Sequence, residues 1–299
     1  MSQETLTPAV LTVTEKGVST SRFVDALRVI ARNRLALLGL FIVSVGIFAA
    51  ILAPWISTHD PYEINIAGRL QAPSAQHWLG TDFLGRDTYS RIVFGARTAF
   101  IIAAGAVFLG ALFGVPLGAI AGFRGRWIDS TIMRFMDAIM AFPGRLLAIA
   151  LVASAGGGFT SLFIALGLGA IPSNARIVRS AVLAQKEREY VEAARMSGES
   201  DFGILFLQVL PNCLSPLLVR LSLEFAHAIL AESSLSFLGL GLPPPTPSWG
   251  LMLKEVTPFL QLQPLAAFFP GLTISLIILG FNLLGDGLRD IFDPRQYER

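Results

Sequence analysis

The sequence predicts an all-α, polytopic membrane fold with six transmembrane helices, on three observations. Hydrophobic residues make up 53% of the 299 positions, charged residues only 15%, and mean hydropathy is +0.62, whereas a soluble domain carries about a quarter charged residues. Apolar runs long enough to cross a bilayer recur along the chain, separated by polar stretches. Fifteen Lys and Arg fall in the segments that a six-span reading places in the cytoplasm and five in those it places outside, so both termini are predicted to be cytoplasmic.

Composition also excludes several classes. Net charge is +2 and the arginines are dispersed among loops, which gives nucleic acid no footprint. A single cysteine, Cys213, rules out an intrachain disulfide. His59, His77 and His227 lack zinc-like spacing, so neither metal nor cofactor is expected. Lys16, Lys186 and Lys254 follow Glu, Gln and Leu, so the chain has no Gly-Lys-Ser/Thr phosphate loop and is not expected to hydrolyse ATP itself.

Residues 1–20 are Thr/Ser-rich without periodicity, the pattern of a disordered segment, and lack the apolar run a signal peptide needs. Arg22, Arg28, Arg32 and Arg34 precede the first span, Leu35 to Ile56, whose 22 residues reach about 33 Å as a helix. A polar stretch of about 40 residues follows, its Gly80-Thr81-Asp82-Phe83-Leu84-Gly85-Arg86-Asp87 indicating turns. The next spans are predicted at Thr98 to Gly122, Thr131 to Ala155 and Thr160 to Val178, with Arg124 and Arg126 in a short inner loop. Asp129, Arg134 and Asp137 are placed at the interface, because a charge at mid-bilayer costs about 2.5–3.5 kcal/mol. The last two spans are Leu214 to Leu240 and Ala266 to Leu284, joined by Pro243-Pro244-Pro245-Thr246-Pro247-Ser248-Trp249-Gly250, too proline-rich to be helical.

Between the fourth and fifth spans, Ala181 to Pro211 is too polar for lipid. Leu183, Tyr190 and Ala194 recur at helical spacing opposite Gln185, Lys186, Glu187, Arg188, Glu189, Glu192 and Arg195, which predicts a short amphipathic helix. Ser197-Gly198 ends it, and Ser200 or Asp201 caps a second helix. There Phe202, Leu205, Phe206 and Val209 fall at i, i+3, i+4 and i+7 before Pro211.

Glu192-Ala193-Ala194, then Gly198, then Leu210-Pro211, at this spacing, resembles the EAA loop of bacterial ABC-importer permeases. Gln208 departs from that pattern, which prefers an apolar residue. His77-Trp78-Leu79-Gly80-Thr81-Asp82 through Gly85-Arg86-Asp87, Ser236-Phe237-Leu238-Gly239-Leu240-Gly241, Pro245-Thr246-Pro247-Ser248-Trp249-Gly250 and Phe281-Asn282-Leu283-Leu284-Gly285-Asp286-Gly287-Leu288-Arg289-Asp290 resemble the second permease of the dipeptide, oligopeptide and nickel importers. The likeness runs from about Arg28 to Arg295.

The resemblance implies the type I importer permease fold in a bacterial inner membrane. It divides the chain into a cytoplasmic segment 1–34, the first span with its periplasmic stretch 35–97, a permease domain 98–288 with its coupling loop 181–211, and a cytoplasmic tail 289–299. It implies a second homologous permease, two cytoplasmic ATPase subunits and a periplasmic binding protein delivering di- or oligopeptides, with nickel or another small solute as alternative cargo. Glu192, Ala193, Ala194, Arg195, Gly198, Leu210 and Pro211 would then meet the ATPase, with Phe202, Leu205 and Phe206 as its buried anchor. An ion-coupled secondary transporter is the competing class, but no internal repeat supports it.

In the fifth span, Glu224, His227 and Glu232 fall within an arc of about 140° at 100° per residue, which makes one face polar. Either that face borders a translocation path, or Glu224 and His227 pair with each other or a neighbouring helix and hold the bundle together. Asn282 in the sixth span is read as a helix-to-helix hydrogen bond.

Overall fold

The computed structural model describes residues 33–292; the Thr/Ser-rich start, the arginines at 22, 28 and 32 and the tail from 293 lie outside them. Ten helices of interest follow in order: α1 Arg34–Ile56, α2 Thr88–Arg124, α3 Arg126–Met140, α4 Gly144–Ala155, α5 Phe159–Gln185, α6 Glu189–Met196, α7 at 201–212, α8 Leu214–Phe237, α9 Trp249–Val256 and α10 Leu265–Phe292. Among the described residues, the one β feature is an isolated bridge between Thr81 and Asp87.

Five of these helices, α1, α2, α5, α8 and α10, are individually long and apolar enough to cross a membrane. The remaining one, the third predicted span, is broken. α3 and α4 together have the length and hydropathy of a span but meet at 78°, because Pro143, extended at φ −55° and ψ 119°, offers no N–H to continue the helix. The expected continuous segment from Thr131 to Ala155 is therefore two elements. α3 is amphipathic, and its Asp129 and Asp137 turn toward α5: Arg179 grips Asp129 through both carboxylate oxygens at 2.5 and 2.6 Å, and Arg176 holds Asp137 at 2.5 Å.

α2 begins ten residues earlier than the apolar pattern indicates. Asp87 caps it, accepting from the Ser90 N–H at 2.8 Å, and at 37 residues it is about 55 Å long. Its partner is α5, and the contact is set by Gly110, Gly114, Gly118 and Gly122, one per turn on one side. A Cβ on Gly114 would stand 2.7 Å from the Cβ of Asn174 and 2.8 Å from the Ile171 carbonyl, and one on Gly122 would stand 2.8 Å from the Arg179 carbonyl. Small residues let the two backbones touch, the device that substitutes for hydrophobic driving force inside lipid. α1 repeats it against α10, where a Cβ on Gly39 would lie 2.7 Å from the Gly280 carbonyl. Large side chains such as Phe41, Phe48, Ile51 and Trp55 point outward from α1, as lipid-facing residues do.

The polar stretch 57–87 forms a strap across one end of the bundle. Arg86 and Arg91 are buried there between Asp82 and Glu255, the latter on α9. The proline-rich connection is non-helical from Pro243 to Ser248, but Trp249 and Gly250, expected within it, open α9 instead; Trp249 is 1% exposed and donates from Nε1 to the Ile92 carbonyl at 2.9 Å. At the opposite end lies the 186–212 hairpin. The strap and the hairpin thus occupy opposite poles of one helical body.

Candidate functional site

Two features at different depths stand out: a cavity within the bundle and the hairpin at its end. The cavity, of about 530 Å³, is walled by α2, α4, α5 and α8. Most of its wall is aliphatic. The polar groups come chiefly from α8, where Arg220, Glu224, His227, Ala231 and Ser234 form a stripe, joined by Ser173 of α5 and Arg145 of α4. Those α8 positions are spaced by three or four residues, so they lie one above another along the helix.

Glu224 is 5% exposed, and neither of its carboxylate oxygens has a hydrogen-bond partner among the described groups. Asn174, fully buried on α5, is in the same position with its amide. Both face Gly110, whose added Cβ would stand 3.2 Å from Asn174 Nδ2 and 3.4 Å from Glu224 Oε1. A buried carboxylate with no hydrogen bond of standard geometry is costly; Glu224 has the Asn174 amide alongside and sits in the cavity wall. Arg220, one turn away, donates to the Ser173 hydroxyl at 2.9 Å. Cationic and anionic groups therefore share one wall. His227 is exposed to the cavity, and among the described hydrogen bonds it makes none to Glu224.

Glu232 does not belong to this stripe. It sits about 80° round the helix from Glu224 at 100° per residue and is fully buried, accepting from Ser236 at 2.8 Å, Ser248 at 2.9 Å and Ser233 at 3.3 Å. Its carboxylate ties the end of the proline-rich loop to α8. The arc drawn from sequence was too wide by one position. Arg220, Ser173, Asn174 and Arg145 line or border the cavity without having been singled out. For Arg220 the signal was present, as a charge four residues before Glu224 in a span.

The hairpin is shorter at its start than its sequence pattern suggests, because α5 runs on to Gln185 and the amphipathic helix is only α6, Glu189–Met196. Gly198 closes it at φ +77°, with its N–H bonded to the Arg195 carbonyl and that of Glu199 to Ala194, an arrangement that favours glycine. Ser200 then caps α7, accepting from the Gly203 N–H at 3.2 Å. Gln208 donates to Glu199 across this turn. The residue that departs from the permease pattern thereby braces the bend.

Within α7, Ile204–Val209 is a π-helical turn, and this changes which side faces inward. Ile204 and Val209, five residues apart, are fully buried, and Leu205 is 4% exposed; with Val191 and Ala194 they pack on Phe123, Val178, Val182 and Leu217. Leu205 is therefore part of the protein's own core, and Phe206 packs against it, so neither is a free anchor. The outward apolar residues are Met196, Phe202 and Leu207, each at least 70% exposed. Phe202 packs against Phe206 with ring centroids 4.6 Å apart and planes tilted at 36°. Glu192, Ala193, Arg195, Gly198 and Pro211 are exposed, Ala194 is buried and Leu210 is half-buried. Arg195 lies over the Phe123 ring at 5.7 Å.

Membrane-length helices around a charged cavity, with a bent polar hairpin at one pole, define a polytopic membrane permease. Residues 114–297 match the family described as binding-protein-dependent transport system inner membrane component, and residues 21–73 match the N-terminal TM domain of oligopeptide transport permease C. The chain is 44% identical over 271 residues to a dipeptide transport system permease protein of Alkalihalophilus pseudofirmus, covering 91% of this chain and 89% of that one. It is 43% identical over 260 residues to a glutathione transport system permease protein of Pectobacterium atrosepticum, covering 85% and 86%. A solved structure of the inward-facing MetNI methionine ABC transporter overlays 68% of this chain and 96% of its own at a TM-score of 0.56 and 18% identity, a likeness of fold. This chain belongs to the family of binding-protein-dependent transport system inner membrane components, and is an ABC-importer permease.

Proposed function

We propose that this chain forms half of the transmembrane pathway of an ATP-driven importer for di- or oligopeptides, paired with a second homologous permease. A periplasmic binding protein delivers the cargo to the strap end. Two cytoplasmic ATPase subunits hydrolyse the ATP, and one of them grips the hairpin through Glu192, Ala193, Arg195, Met196, Phe202 and Leu207. Both termini lie in the cytoplasm. Relatives named for dipeptide and for glutathione transport support a peptide-like cargo; nickel or another small solute is the alternative the same machinery allows.

The observation that carries this reading is continuity between hairpin and cavity. α7 runs through Cys213 directly into α8, and Arg220, Glu224 and His227 follow within about four turns. A cleft that closes on the hairpin would drag α8 as a rigid element and reshape the cavity wall. Coexpression with the ATPase subunits and reconstitution into vesicles tests it. Uptake of labelled peptide should require external binding protein and internal ATP. Uptake by this chain alone, driven by a proton gradient, would replace the proposal with a secondary transporter.

A further inference from the structure

Outside the cavity and the hairpin, the strap brings together three side chains that are far apart in sequence. His59 follows the end of α1, His77 lies in the turn before Gly80, and Asp87 caps α2. The Nδ1 of His77 stands 2.9 Å from Asp87 Oδ1, and the Nδ1 of His59 stands 3.8 Å from that same oxygen. All three donor atoms lie within 4.8 Å of one another, and the two rings are 4.6 Å apart at 33°. We propose that His59, His77 and Asp87 form a divalent transition-metal site that staples the strap to the end of α1 and the start of α2.

The geometry argues for a ligand set rather than a simple hydrogen bond. A His–Asp pair alone is satisfied by one contact, as His77 and Asp87 are. His59 adds a second imidazole, whose Nδ1 contacts the Thr58 hydroxyl at 3.0 Å and stands 3.8 Å from the same carboxylate oxygen, so an ion would displace the Thr58 contact. Zinc-bound nitrogen and oxygen lie about 2.0–2.2 Å from the metal, which puts ligand atoms about 3.3–3.5 Å apart in a tetrahedron. The observed 2.9 and 3.8 Å to Asp87 bracket that spacing, and the two imidazoles, within 4.8 Å of each other, close around the ion by turning their rings.

The surroundings suit the role. Asp87 is fully buried in its side chain, while His77 is 13% and His59 30% exposed, which leaves one side open for entry and for a solvent ligand. The second oxygen of Asp87 accepts from the Ser90 N–H at 2.8 Å and from the Thr58 hydroxyl at 3.3 Å. Such outer partners fix a ligating carboxylate in place. Two imidazoles and one carboxylate are borderline N/O donors that suit zinc, cobalt or nickel rather than calcium or magnesium. The 17 residues between His59 and His77 follow no zinc-finger spacing, so only the fold of the strap exposes the set.

The test uses the full-length chain purified without a polyhistidine tag, stripped with chelator and titrated with zinc chloride by calorimetry. One zinc per chain is expected, with affinity lowered tenfold or more by His59→Gln or His77→Gln and unchanged by His227→Gln. Because His77→Gln also removes a hydrogen bond, unfolding is followed in parallel. Zinc should raise the melting temperature of the unaltered chain, and His59→Gln should abolish that rise. Cobalt chloride should give the visible bands of a tetrahedral N/O site, without the thiolate charge-transfer band that Cys213 would add. No stoichiometric binding by the unaltered chain, or binding unaffected by both strap variants, would overturn the proposal.

Discussion

Arg86 donates to Glu255 at 2.8 Å across 169 residues of chain, fastening the strap to α9. Arg91 reaches the same carboxylate oxygen at 3.1 Å, and Asp82 completes the set at 2.6 Å from Arg86 and 3.4 Å from Arg91. Two cations and two anions thus balance with the arginines out of solvent. Removing one member leaves an uncompensated buried charge.

Glu255→Gln is therefore expected to lower stability by about 3 kcal/mol, the cost of breaking a buried pair from one side. Thermal unfolding in detergent, followed by tryptophan fluorescence, reads this directly, since the buried Trp249 opens α9, the helix that carries Glu255. An unchanged melting temperature would mean that the arginines find water there.

The glycine row of α2 makes a second, sharper expectation. Gly114→Leu drives a side chain into the α5 backbone, where even a Cβ would be 2.7 Å from its nearest neighbour, and overpacking of this kind costs about 1–3 kcal/mol or more. Gly169→Ala on α5 meets nothing within 4 Å. Yield of monodisperse protein should fall for the first and hold for the second. Equal yields would show that α2 and α5 can separate without loss.

The two buried glutamates of α8 should part company when tested side by side. Glu224→Gln removes a charge from the cavity wall, so transport should fall at least tenfold at normal expression and melting temperature. Glu232→Gln replaces an acceptor of three serine hydroxyls with a group that is half donor, and should instead lower the melting temperature, with transport per folded molecule retained. Uptake assays normalised to folded protein decide it. Intact transport in the double variant Glu224→Gln, His227→Gln would remove α8 from the pathway.

Periodicity and charge made the five continuous spans legible, because a bilayer imposes one length and one composition on them. The break at Pro143 was masked, because the apolar residues on both sides of it continue the pattern of a single span. Capping by Asp87 and the π turn at Ile204–Val209 were not legible. Both depend on which neighbours a helix meets: the π turn sets Ile204, Leu205 and Val209 inward, so of Phe202, Leu205 and Phe206, grouped by i, i+3, i+4 spacing as one anchor for the partner, only Phe202 stays exposed. Glu232 was misplaced for a related reason: a helical wheel gives an angle, not the loop that covers it. The charged cavity wall needed α4, α5 and α8 assembled before Arg145, Ser173 and Arg220 could be seen to converge.

The hairpin separates surface from support, and mutation should follow that line. Phe202 and Leu207 are 71% and 74% exposed, so Phe202→Ala and Leu207→Ala should leave unfolding unchanged while weakening association with the ATPase at least tenfold, as truncation of an aromatic or aliphatic anchor does. Leu205→Ala opens a hole in the packing beneath and should cost about 2–5 kcal/mol of stability. Gly198→Asp is the informative case. A Cβ there meets nothing within 4 Å, and Asp tolerates the left-handed conformation better than most residues, so the bend should survive with a carboxylate projecting from its tip. Substrate-stimulated ATP hydrolysis and uptake in the reconstituted complex are then expected to be lost together, with the variant still in the membrane at normal levels. Full coupling in Gly198→Asp would mean that the motor grips the permease elsewhere.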